Sequence, residues 1–122
     1  MTDEVMSAIC DMAQAIYKGN DTLKDCRERI YKIYKVNENS FATYYRAFKC
    51  MMDGSRHTHG INVELRDYML TRIHREYGLE RYKIALNAYL MYINYDEEHK
   101  HINKSKEREL YKKHYRIISN LI

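Results

Sequence analysis

Residues 62–93 read NVELRDYMLTRIHREYGLERYKIALNAYLMYI. Apolar side chains return every three or four positions on both sides of Gly78: Leu65, Tyr68, Met69, Ile73 and Tyr77 before it, Leu79, Tyr82, Leu86, Tyr89, Leu90 and Ile93 after it. That is the repeat of an amphipathic helix, not the alternation of a strand. Asn62 is the type of side chain that caps a first turn. A glycine between two helical patterns reads as a tight corner joining two helices.

The same repeat extends outward. Upstream, Phe41, Tyr44, Tyr45, Phe48, Met51 and Met52 mark a helix ending at Asp53-Gly54, with Asn39 or Ser40 expected as its cap. Before it, Leu23, Cys26, Ile30 and Ile33 follow Thr22 and Asp25, which resemble a capping box. The first helix carries Val5, Ile9, Met12, Ala13 and Ile16 and stops at Gly19-Asn20. Downstream, the acidic run Asp96-Glu97-Glu98 is expected to end the fifth helix or to open an exposed joint. A last helix, from about Asn103 to Ser119, places Leu110, His114, Ile117 and Leu121 on one stripe. The expectation is an all-α, compact bundle of five or six helices forming a single domain over 1–122.

Composition agrees. The chain has 122 residues, no proline, four glycines, 13 tyrosines and no tryptophan. Scarce turn formers disfavour sandwiches and barrels, and a chain of this length buries enough surface to need no staple. Cys10, Cys26 and Cys50 form no C-x-x-C pair, so neither a zinc knuckle nor a redox motif can be built from them. Cys10 and Cys26 sit on apolar stripes and read as small buried hydrophobes. An odd number of cysteines, an acidic N-terminus without an apolar core and the absence of long apolar runs lead to the expectation of a cytoplasmic protein without membrane contact.

Formal net charge is +4. Residues 99–122 hold seven basic and two acidic side chains, more than that whole excess. The surplus marks an anion-facing surface or a solvated helix face. Residues 53–60, Asp-Gly-Ser-Arg-His-Thr-His-Gly, form the one long loop. His57-x-His59 offers two imidazoles, but a zinc site needs three or four ligands and no second half is spaced to supply them. No nucleophile elbow, phosphate loop or dinucleotide fingerprint occurs. No catalytic residue, metal or cofactor is therefore expected. Nucleic-acid binding needs cations for phosphates, with aromatics nearby for bases. The candidates are Arg46 and Lys49 on the third helix, Arg56, His57 and His59 on the loop, and Lys112, Lys113 and Arg116 on the last helix, backed by Tyr111 and Tyr115.

Between residues 37 and 95 a string of landmarks occurs in order: Asn37-x-x-Ser40, Tyr45, Phe48, Met52-Asp53-Gly54, Ile61-Asn62, Tyr68 with Leu70 and Ile73, Tyr77-Gly78, Ala85-Leu86 and Ile93-x-Tyr95. This string resembles the N-terminal helical accessory region found upstream of the nuclease domain in a group of bacterial HNH endonucleases. Where that region carries tyrosine and Arg-Thr in its loop, this chain has His57 and His59-Gly60. The nuclease module is not among these 122 residues. The resemblance implies a free-standing, non-enzymatic accessory module from bacterial or phage defence or mobile-element biology. Its partner would be nucleic acid, with DNA the expected form. The alternative is a protein-interaction module acting as subunit or inhibitor of a nuclease complex.

Overall fold

A computed structural model describes residues 1–122 as six helices and no strand: α1 (Asp3–Tyr17), α2 (Leu23–Tyr34), α3 (Glu38–Asp53), α4 (Val63–Tyr77), α5 (Leu79–His99) and α6 (Ser105–Leu121). The all-α bundle expected from periodicity is what the chain forms. Its contacts resolve into two compact units, Met1–Lys49 and Cys50–Ile122, with the division inside α3.

In the first unit α1 packs on α2. Thr22 Oγ1 accepts the Asp25 N–H at 3.2 Å, so the cap foreseen for α2 is made. Ile9, Cys10, Ala13, Cys26, Ile30 and Phe48 are buried, and the edge of one ring of the Tyr17–Phe48 pair meets the face of the other at 6.2 Å. Cys26 behaves as the small hydrophobe expected: burial pushes its thiol up to about 11. Ile33 departs from its stripe and is 59% exposed. The cap of α3 is also earlier than expected. Asn37 Oδ1 accepts the backbone N–H of Asn39 and of Ser40, at 2.9 and 3.1 Å. A side chain can cap the N–H groups two and three residues ahead, so Asn37 serves where Asn39 or Ser40 was expected.

In the second unit α4 packs on α5, and α6 packs on both. Asn62 Oδ1 accepts the Leu65 N–H at 2.7 Å, which starts α4 as expected. Gly78 turns the chain into α5 at φ +92, ψ 178, a conformation closed to side chains with a Cβ. Leu65, Met69, Leu70, Ile73, Tyr82, Ala85, Leu86, Tyr89, Tyr92 and Ile93 are buried between the three helices.

The run Asp96-Glu97-Glu98 forms the last turn of α5, which ends at His99, so the expected helix end holds and the exposed joint does not. Two of its three charges are paired, and it is the α6 stripe that departs from expectation. Asp96, 2% exposed, holds Lys104 at 3.0 Å and Lys100 at 3.3 Å, while Glu97 pairs with Arg108. The inward stripe of α6 is Leu110, His114 and Ile118, whereas Leu121 is 53% exposed. The spacing is four and four, so the buried line drifts one residue from the seven-residue step that joined Leu110 to Ile117.

Leu86 is 3% exposed among these side chains. Truncation to alanine removes buried methyl groups and leaves a cavity, at a cost of about 2–5 kcal/mol. Chemical denaturation of Leu86→Ala should show a loss of that size; a near-neutral result would place the α5 stripe on the wrong face.

Candidate nucleic-acid interface

The loop between α3 and α4 is built by its glycines and pinned by α5. Gly54 ends α3 at φ +76, where a Cβ would meet the Ile84 side chain at 3.0 Å. A Cβ on Gly60 would come within 2.6 Å of the Tyr92 hydroxyl, so only glycine lets the loop lie this close. That hydroxyl in turn accepts the Lys104 ammonium at 3.0 Å. Lys100 donates to the Thr58 carbonyl at 3.3 Å. The loop is therefore tied to the C-terminal half of α5 and to the segment after it.

Within it, Arg56 and His57 part ways. Arg56 is exposed and sets its guanidinium 3.9 Å from the centre of the Tyr95 ring. Tyr95 stacks with His99, ring centres 4.3 Å apart and planes 19° from parallel. His99 lies one turn further along α5, and its Nδ1 contacts the Tyr95 carbonyl at 3.2 Å. Since a carbonyl only accepts, Nδ1 carries the proton of the neutral ring. His57, expected to face outward beside His59, is instead 7% exposed. Bracketing glycines allow the chain to turn a side chain inward as readily as outward, and here the first imidazole goes in. His59 remains exposed.

Beside this stack lies an open groove of about 390 Å3 lined by Arg56, Met91, Asn94, Tyr95, Glu98 and His99. On α4, Arg66 is 2% exposed, its guanidinium 4.7 Å from the Tyr89 ring and 5.2 Å from that of Tyr92. Those two rings are stacked 6.3 Å apart. The Arg66 Nη2 has no hydrogen-bond partner. Burial holds its pKa below the usual arginine range, and the ring faces supply part of the attraction that water would have given.

The α6 candidates divide in the same way. Lys112 and Arg116 are exposed, next to the Tyr111–Tyr115 ring pair at 6.0 Å. Lys113 donates to Asp67 Oδ2 at 2.8 Å and so is tied to α4. Asp67 Oδ1 lies 2.6 Å from His114 Nε2, and His114 Nδ1 meets the Tyr82 hydroxyl. A neutral imidazole protonated on Nε2 donates to Asp67 and accepts from Tyr82, so every group is satisfied. His74 stacks on Tyr82 at 4.4 Å. Tyr82 and His114 are each 1% exposed, which leaves no room for a substrate. Asp–His–Tyr here is a clamp across α4, α5 and α6.

The Tyr111–Tyr115 pair lines a groove with Lys83, Leu86 and Asn87 of α5, and the loop sits beside Tyr95. Asn87 and Tyr95 are eight positions apart on α5, roughly 12 Å at the helical rise. The second unit thus carries two distinct places where cations adjoin aromatic rings. Arg46 and Lys49 are exposed on the portion of α3 that belongs to the first unit. Arg72, another cation of α4, is 7% exposed with its Nη2 3.4 Å from the Tyr68 hydroxyl. Sequence reasoning missed Tyr95 and His99, although their four-residue spacing was a usable signal.

No three histidine, cysteine, aspartate or glutamate side chains group so as to hold a metal ion, and no helix is long and apolar enough to cross a membrane. No protein family, curated protein or solved structure matches the chain.

Burial holds the His114 pKa below its ordinary value, against the opposing pull of Asp67; Lys113 and His74 add to the lowering. The unfolded chain therefore binds a proton near pH 6.5 that the folded chain refuses, and stability rises with pH across that window. It is fully present above about pH 6.5 and declines as pH falls toward the lowered value. Denaturation curves at about pH 7.5 and about pH 5.5 should show the loss. His114→Gln should lower stability at the higher pH and flatten the difference between the two. Equal pH dependence in parent and variant would show that another group carries it.

Proposed function

We propose that this chain is a non-catalytic nucleic-acid-binding module, with DNA as the expected ligand. The observation that carries the reading is Arg56, exposed on a pinned loop and seated on the Tyr95–His99 stack. A fixed cation beside flat rings meets both needs of a nucleic-acid contact: charge for phosphate and a surface for bases. The second place, Lys112 and Arg116 with Tyr111 and Tyr115, repeats the combination on α6. An elongated polyanion can span sites roughly 12 Å apart along the helix, and a small anion cannot. The resemblance to the accessory regions of HNH endonucleases supports a setting in bacterial or phage defence or mobile elements.

A protein-interaction role, as subunit or inhibitor of a nuclease complex, is the second reading. It draws on an apolar groove of about 160 Å3 along α5 and α6, lined by Leu86, Tyr111, Tyr115 and Ile118 among others.

Phosphate contacts release counterions, so affinity for duplex or single-stranded DNA should fall steeply with salt, with a log–log slope near −0.9 per phosphate on duplex. Arg56→Glu, and separately Lys112→Glu with Arg116→Glu, should each make that slope shallower in a fluorescence-anisotropy titration. Lys113 is left intact because it supports Asp67. Micromolar protein that shifts no DNA at low salt would remove this reading and leave the partner-binding one.

A further inference from the structure

The groove at the end of α5 has a structure more specific than a basic patch. Two pairs of residues, each spaced one helical turn apart, line it: Tyr95 with His99, and Asn94 with Glu98. The first pair is a flat stack capped by Arg56. The second pair is polar and holds opposite hydrogen-bonding capacities. Asn94 Oδ1 accepts Arg108 Nη2 at 2.7 Å, and its amide nitrogen carries two donors. Glu98, exposed at the rim, offers a carboxylate that only accepts. Met91 adds a soft apolar wall. The volume of about 390 Å3 falls in the range of ligand clefts, about 300–1,000 Å3.

From this arrangement we infer that the groove takes an unpaired nucleobase, stacked against the outer face of His99. The inference rests on the nucleic-acid reading above and names the substrate class of the same site. Two features carry it. Stacking needs an exposed base face, which a duplex conceals in its interior, so the site selects single strands. Glu98 at the rim disfavours a bare phosphate, so the polar edge of a base faces it while Arg56 meets the backbone.

The test uses the full chain and anisotropy titrations with labelled oligodeoxynucleotides of adenine, cytosine or thymine alone, and with a mixed-sequence duplex of the same length. Each single strand should bind roughly tenfold tighter than the duplex. His99→Ala, at an exposed position, should remove most of the single-strand advantage while leaving the salt slope intact. Helical content of the variant is checked by circular dichroism. Salt-sensitive binding in which duplex equals single strand, or in which His99→Ala changes nothing, overturns the inference and leaves nucleic-acid binding standing. Failure of every strand and the duplex to bind removes both.

Discussion

Asp67, His114 and Tyr82 come from α4, α6 and α5, and one line of hydrogen bonds joins them. The second unit depends on that line. Its three helices contribute Leu, Ile, Met and Tyr side chains that pack without direction, and non-directional packing tolerates rotation of one helix on another. A buried imidazole with two defined partners does not. With Asp67 on one nitrogen and Tyr82 on the other, α6 has one rotation and one depth against the α4–α5 pair. Lys113 neutralises the outer oxygen of Asp67, so the carboxylate stays charged and keeps its hold on the imidazole. Burial and the nearby carboxylate together push the Tyr82 phenol up to about 12, so it remains a donor throughout the physiological range.

That orientation of α6 sets the far end of α5. Arg108 reaches from α6 to Asn94 and Glu97, and Lys104, just before α6, reaches Asp96 and the Tyr92 hydroxyl. Both contacts extend α5 through a run of three acids that would otherwise fray. The extra turns carry Tyr95 and His99, the surface on which Arg56 lies. A structural clamp at one end of α5 and a cation–aromatic stack at the other are therefore linked by one helix. Charge pairs that look like solvated surface in the sequence decide whether the stack exists.

Arg66 and Arg72 belong to the same economy of charge. Each counts in the formal charge of +4, yet each is buried against tyrosine rings. The many tyrosines thus serve two purposes: ring faces that receive guanidinium groups inside, and rings nearer the surface, half-buried at Tyr95 and exposed at Tyr115. Cations also face solvent beside rings at Lys35 on Tyr31 and at Arg56 on Tyr95, and of these Arg56 has a functional reading.

The helical period, the caps at Thr22 and Asn62 and the corner at Gly78 depend on neighbours in the chain, so the sequence by itself determined them. So too the burial of Cys10, Cys26, Ile30 and Leu86, which follows from a stripe of one spacing on one helix. What only the tertiary structure decided are features that need a partner from another element. His57 turned inward, Lys113 was drawn to Asp67, the acidic run stayed helical under Arg108 and Lys104, and Tyr95 and His99 became a platform once Arg56 arrived. A charged or aromatic side chain has several acceptable environments, and sequence spacing does not say which oppositely charged or flat group will be within reach. An apolar side chain on a periodic face has one favoured environment, out of water; Ile33 and Leu121 miss it, but most of the stripe residues reach it, and that is why the core was largely legible and the site was not.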